Sequence, residues 1–313
     1  MVAPQSQTSP EPGAPANTKA QVQEFYNQVG WQEVGAGIYQ NATYEDLRPV
    51  SQQYIHDCHQ RVARHLKPKG RLLLDAGSGP IQYPEYLEYS LGKNGDQPYQ
   101  YRVCLDISQV ALQEARKRIG DAASEGHGLF VVADIANLPF KPGAFDGIVS
   151  LHTIHHLPFE EHLRAYQELQ RVLAPASSAV IVNGWDLPPL TVFFNFWIKL
   201  AEKLYALLRP SSRSATRLQL ADPTPSNPNA PRSTPRGTYV RKHTPAWLKT
   251  VVGAQMPVEI WCWRSVSVRF LRTFIHQRLG GRFWLRLLYW LEECLPHWFG
   301  ENGQYPLIVL RKD

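Results

Sequence analysis

Sulfur is scarce in this chain: 313 residues hold four cysteines and two methionines. Cys58, Cys104, Cys262 and Cys294 lie far apart, and none stands in a C-x-x-C pair. The spacing excludes a disulfide framework and a zinc site, and no metal is expected. It predicts free thiols in a reducing compartment, which places the chain in the cytoplasm. Long apolar runs are missing as well. No stretch of about 18 uncharged apolar residues occurs, so no spanning helix is expected. The opening MVAPQSQTSPEPGAPANTK lacks a basic region followed by an apolar block, which excludes a secretory signal and predicts a disordered tail over 1–18. Acidic residues are short in the C-terminal third. From Arg209 onward the formal charge is +10, while the rest of the chain carries −4. That third also holds six of the nine tryptophans. Basic, Trp-rich surface suits an anionic membrane face or an acidic substrate.

What is present is enough apolar material, 43%, for a large core. Residues 19–70 read as an N-terminal helical cap, mostly helical up to the break at Pro68, Lys69 and Gly70. Residues 71–185 alternate strand and helix. RLLLDAG, YRVCLDI, GLFVVADI, FDGIVSLH and SSAVIVNGW are apolar strands, and SQVALQEARKRIG and EEHLRAYQELQRVLA are helices. That alternation predicts an α/β fold with a mostly parallel sheet covered on both faces. Residues 186–243 combine an aromatic helix over 187–208 with a flexible segment, since 209–238 hold six prolines and no aromatic residue. Residues 244–313 return to helices and strands that complete the sheet. There, Thr244 caps a helix with Pro245 at its first position, and a helical stretch is broken at Gly280–Gly281.

LLLDAGSGP at 72–80 is the most informative stretch. Gly77 and Gly79 at a strand end let backbone amides approach a ligand closely. Asp75 stands just before them, Asp106 ends the second strand and Asp134 ends the third. Ligands of open parallel sheets bind beyond the carboxyl ends of the strands, so the three acids face one crevice. A buried acid without a partner is costly, which makes a ligand a natural partner. A pyrophosphate is repelled by Asp75, whereas an ammonium and a sulfonium are welcomed. An NAD-dependent oxidoreductase fits poorly, because Gly79 to Asp106 exceeds the roughly 20-residue spacing of that fingerprint and Pro80 breaks its glycine triplet. Proline donates no amide but fits the first turn of a helix, so Pro80 is expected to start one.

LLLDAGSGP, CLDIS, ADIANLPFKPGAFDGIVSLHTIHHL and ELQRVLAPASSAVIVNGW together resemble the Rossmann-like, class I S-adenosylmethionine-dependent methyltransferases. The likeness is nearest to the small-molecule branch (methyltransferase type 11) that includes the ubiquinone and menaquinone C-methyltransferases. It covers 71–185 well and 244–268 loosely. It implies a seven-stranded sheet with an antiparallel last strand and S-adenosyl-L-methionine as cofactor. It further implies that Asp75 orients the glycine loop and binds the methionine ammonium, directly or through water, and that Gly77 and Gly79 bring backbone against methionine and ribose. Asp106 would hold the ribose hydroxyls with Ile107 against adenine, Asp134 and Ile135 would read the adenine rim, and Leu151 would lie beside the methionine. A catalytically silent fold that only binds a partner is the competing reading, and the intact acids speak against it.

The acceptor is less legible. SLHTIHHLP lacks the Asn/Asp-Pro-Pro-aromatic tetrad of methyltransferases that act on amino groups, so no nucleic acid is expected as substrate. His152, His155 and His156 lie near the site, and His152 is the candidate general base for a hydroxyl acceptor. Tyr26, Trp31, Tyr39, Tyr44, Phe193, Phe194, Phe196 and Trp197 are candidates to roof the pocket. Aromatic walls suit a small lipophilic or ring-bearing acceptor, a lipid or quinone-like molecule methylated on oxygen or carbon. The Trp-rich helices suggest peripheral contact with a membrane. Oligomeric state is not legible.

Overall fold

Seven apolar segments pair into one sheet in the computed structural model. The structure describes residues 15–30, 33–35, 38–39, 45–93, 95–123, 126–208 and 238–313. The strands are β1 (Gly70–Ala76), β2 (Tyr99–Asp106), β3 (Gly128–Val132), β4 (Phe145–Leu151), β5 (Leu173–Val182), β6 (Val258–Arg264) and β7 (Tyr305–Lys312). Across the sheet they lie in the order β3, β2, β1, β4, β5, β7, β6. All pairs from β3 through β5 are parallel. The last strand, β7, runs antiparallel to both its neighbours, β5 and β6. The order reverses between β1 and β4, and that switch point is where such sheets open a crevice.

The side-chain period of two explains why the strands are apolar throughout. Leu74, Ile148, Ile181 and Ile308 enter the core on one face. Leu73, Val149, Val180 and Val309 enter the core on the other. Both faces are therefore buried. Each fully buried side chain of this kind contributes about 1.5–3 kcal/mol relative to exposure.

The helices are α1 (Pro15–Phe25), α2 (Gln52–Gln60), α3 (Pro84–Leu91), α4 (Gln109–Ala122), α5 (His162–Val172), α6 (Pro189–Leu208), α7 (Val268–Phe274), α8 (Gly281–Cys294) and α9 (Pro296–Asn302). Ser108 caps α4 by accepting from the Ala111 N–H at 3.2 Å. Thr244 does the same for Trp247 at 3.2 Å, with Pro245 at the first helical position. Gly280, at φ 69°, separates a short turn over Gln277–Leu279 from α8.

The cap over 19–70 holds a small hairpin, Glu33–Gly35 with Ile38–Tyr39, among its helices. Two expectations are corrected. The tail expected over 1–18 ends earlier, since α1 already begins at Pro15; the rest of that tail, and 209–237, lie outside the described residues. Pro80 starts no helix: it sits in a turn, Ile81 beside it is at φ 54°, and α3 begins only at Pro84. A second proline four residues on fills the role assigned to the first.

Candidate active site

A cavity of about 380 Å³ opens at the carboxyl ends of β1 to β5. The turn after β1 forms its floor. The amides of Gly77 and Ser78 donate to the Leu105 carbonyl of β2 at 2.7 and 3.0 Å, which pins the turn to the neighbouring strand. Gly77 has φ 80° and Gly79 φ 53°, the left-handed region. A Cβ on Gly77 would run into the Thr153 side chain. Only glycine fits there, and the bare backbone faces the cavity. Ile107, Ile135 and Leu151 add apolar wall.

The acids behave differently from one another. Asp106 lines the cavity and accepts from the Gly79 N–H at 2.9 Å and the Ser108 N–H at 2.8 Å. Burial pushes its carboxyl up to about 6 against the pull of those amides. Each oxygen keeps a lone pair, so a diol can still be held. Asp134 also reaches the cavity. Lys19 of α1 donates to it at 2.5 Å and the Ala136 amide at 2.9 Å. Burial opposes its ionisation, but Lys19 and these donors hold it below the usual carboxylate range. Asp75 is not among the cavity residues. It is buried and paired with the fully buried Arg102, which also donates to the Tyr86 carbonyl. The ion pair with Arg102 fixes Asp75 behind the glycine turn. The premise that the acids lacked partners is thus wrong for all three. Lys19 and Arg102 supply what the strand pattern did not reveal, although an arginine inside the apolar run YRVCLD signals a buried acid nearby.

His152 does line the cavity, at φ 58°, with Trp263 and Tyr305 edge-on at 5.1 and 5.6 Å between ring centres. Burial, reinforced by Arg264, holds it down at about 3. Burial lowers His156 to about 4 and His155 well below its ordinary value. His156 Nδ1 faces the Tyr239 carbonyl at 2.9 Å and so carries the proton, leaving Nε2 to accept from the Tyr26 hydroxyl at 2.9 Å. The histidines are neutral and weakly basic.

With this geometry in view, the comparisons with known proteins decide the family. Residues 74–181 match a family model described as a methyltransferase domain. The chain carries a class I S-adenosylmethionine-dependent methyltransferase domain. S-adenosylmethionine is the cofactor of that domain. The chain is 29% identical over 153 residues to a tRNA (carboxymethyluridine(34)-5-O)-methyltransferase of Xenopus tropicalis, covering 42% of this chain and 21% of that protein. It is 24% identical over 173 residues to an O-methyltransferase of Aspergillus sclerotiorum, covering 53% of this chain and 61% of that one. The match thus spans about a fifth of the first relative's length and about three fifths of the second's. Among solved structures, a [4+2]-cyclase, SpnF, superposes with a TM-score of 0.53 at 18% identity, covering 96% of this chain and 99% of that one, a likeness of fold. The expectation of no nucleic acid among its partners is overturned by the tRNA methyltransferases among its relatives. The tetrad whose absence prompted it serves amino-group nucleophiles, and an oxygen acceptor needs none.

The cavity has a second end that sequence reasoning missed. Lys242, Arg264, Glu45 and Tyr305 line it, with Tyr83, Tyr86 and Tyr26 supplying rings. Arg264 ends β6 as Asp106 ends β2, a charge closing an apolar strand, and that was the available signal. Its guanidinium pairs with the buried Glu45, while its buried Nε has no partner among the described residues. Lys242 arrives on the segment that returns to the sheet at 238–243, where the Arg241 amide donates to the His155 carbonyl at 2.8 Å. Burial lowers Lys242, and Asp186 is the acid whose charge it feels. Of the expected aromatic roof, Tyr26 is present. Phe193, Phe196 and Trp197 are exposed and Phe194 packs on α7, so none lines the cavity. Trp31 and Tyr44 lie outside the described residues, as does the Tyr39 side chain.

Proposed function

We propose that this methyltransferase methylates an oxygen of an acidic, ring-bearing acceptor, most simply a carboxylate. The observation that carries the reading is the pairing of cations with weak bases at the acceptor end. Lys242 lines that end and offers a donor to an anion, beside an Arg264 guanidinium already paired with Glu45, while burial keeps His152, His155 and His156 neutral and weakly basic. A carboxylate is already deprotonated at neutral pH and needs no base. A hydroxyl, or a carbon centre such as a quinol ring, must shed a proton for which this wall has no strong acceptor. In the transfer an O–CH₃ bond forms as the S–CH₃ bond breaks, the positive sulfonium and the negative carboxylate are both neutralised, and no proton moves. Bringing two opposite charges together to cancel is favoured in a cavity that excludes water. The tyrosines at 26, 83, 86 and 305 support a ring-bearing acceptor.

The cofactor end fits the methyl donor. Gly77 and Gly79 would lie against the methionine and ribose, Asp106 would accept the ribose hydroxyls, and Ile107, Ile135 and Leu151 would enclose adenine and methionine. Asp134 would take part only through what Lys19 leaves free. Bound there, S-adenosylmethionine supplies an activated methyl group.

The tRNA relatives and the fungal relative are themselves O-methyltransferases, which is consistent with this reading. The test is methyl transfer from donor labelled in the methyl group to aromatic and lipophilic carboxylic acids, and to tRNA bearing carboxymethyluridine. A methyl ester releases its label as methanol in mild alkali. Label that survives alkali, on any of these acceptors, would show methylation elsewhere and sink the carboxylate assignment.

A further inference from the structure

Two helices turn an apolar face to solvent. On α8, Phe283, Trp284, Leu287, Trp290 and Leu291 are all exposed, at spacings that place them in one stripe. Trp284 and Trp290 are 54% and 59% exposed. The opposite side of α8 is spent on the core through Leu285, Leu288 and Tyr289. α6 repeats the device with Phe193, Phe196, Trp197 and Leu200 outward. Its inner side is satisfied by fully buried Ile198 and by Phe194, 4.6 Å from Phe270 of α7 between ring centres. α7 leads through one short turn into α8, and on that route Phe274 and Leu279 are exposed too. Inner faces are therefore complete, and outer faces are apolar where a solvated helix is polar.

The charge beside these stripes is basic. Arg282 and Arg286 on α8 and Lys199 and Lys203 on α6 are exposed. The acids on the same helices are engaged elsewhere: Glu202 pairs with Arg269 at 2.6 Å, and Glu293 with Arg61 and Arg64 at 2.8 and 2.6 Å. We propose that α6 and α8 dock this methyltransferase on an anionic lipid surface. Rings and leucines sit at the headgroup boundary and the four cations meet the headgroups. Such docking needs only about 5–10 Å of burial. Among the described residues no helix is long and apolar enough to cross a membrane, and interfacial seating requires none. Charge argues against a second copy as the occupant. A two-fold contact lays the basic patch on its own copy, so that like charges meet like charges. A nucleic-acid backbone would satisfy the cations and leave the leucine and phenylalanine stripe uncovered.

The test uses the full chain and flotation with two kinds of vesicle, phosphatidylcholine alone and phosphatidylcholine with roughly a third phosphatidylserine. Binding to the anionic vesicles is expected to be at least about tenfold stronger, and to weaken with salt. Replacing both tryptophans, Trp284→Ala with Trp290→Ala, should lower it by about tenfold or more. Arg282→Glu with Arg286→Glu should remove the preference for anionic vesicles. Calorimetry should show S-adenosylmethionine binding unchanged in all of these, which reports an intact fold. The proposal is overturned if folded protein floats with neither vesicle, or if the tryptophan variant binds as the parent does. It is equally overturned if the same tryptophan substitutions disperse a dimer in sedimentation velocity or abolish retention of RNA while leaving vesicle binding intact.

Discussion

Replacing Lys242 with methionine separates the acceptor reading from its rivals. The substitution keeps the stem that packs beside Gly184 and removes only the ammonium. A charge-assisted hydrogen bond to an ionised group is worth about 1.5–3 kcal/mol. At 1.4 kcal/mol per tenfold, its loss weakens carboxylate binding by about 10- to 150-fold. The carboxylate loses its charge as the ester forms, so the ammonium holds the ground state more firmly than the transition state. KM for a carboxylate acceptor should therefore rise by about that factor, while kcat holds or increases. Because burial already lowers Lys242, the parent's acceptor affinity should fall as pH rises through a point below the ordinary lysine value of 10.5. That alkaline loss should vanish in Lys242→Met. Initial rates over acceptor concentration and pH, with the cofactor Kd measured by calorimetry, provide the readout. A fall in kcat with KM unchanged would refute the reasoning, because it would place Lys242 on the reaction barrier.

Other outcomes follow from the same geometry. Asp106→Asn should weaken S-adenosylmethionine binding about tenfold or more, and in the parent that affinity should fall as pH drops through about 6, where the raised carboxyl of Asp106 becomes protonated and stops accepting hydroxyls; calorimetry across pH checks both. Gly77→Ala sets a Cβ against Thr153 at a left-handed residue, costing more than the ~1–2 kcal/mol of that conformation alone, and should abolish measurable cofactor binding. Asp75→Asn strands the buried Arg102, a loss of roughly 3–5 kcal/mol and of about 10 °C in Tm; adding Arg102→Met should restore most of it, whereas a direct ligand role for Asp75 predicts no rescue of cofactor binding. His152→Asn suits φ 58° and should change kcat by less than about tenfold, since removal of a working general base costs ~10²–10⁴.

The sheet and the cofactor loop were legible because their signals are local. Strand periodicity, the Gly77–Gly79 turn, the acid closing β2 and the acid just past β3 each sit within a few residues of the structure they specify. The partners were not, because they come from far along the chain. Arg102 meets Asp75 across neighbouring strands, Lys19 reaches Asp134 over 115 residues, and Glu45 reaches Arg264 over 219. Composition also could not say which side of α6 is buried. Its aromatic content fits a pocket roof as well as an outer face, and only packing against α7 decided for the latter.

Strand order turns these separate residues into one electrostatic design. Asp134, Asp106 and the glycine turn follow β3, β2 and β1, on one side of the switch point. His152 follows β4, and Lys242 and Arg264 lie toward β5, β7 and β6 on the other side. Strands lie about 4.8 Å apart, so the acidic and basic ends of the cavity are separated by a few strands, with neutral histidines between them. On the proposed reading, a cationic donor would be drawn to the first end and an anionic acceptor to the second. Neither end can exchange roles, because Asp106 would repel the acceptor and Lys242 the sulfonium. The weak basicity of the histidine wall then has a physical reason: a protonated imidazolium midway would repel the donor and compete for the acceptor. Burial that keeps His152 at about 3 would then preserve a neutral gap for the proposed transfer.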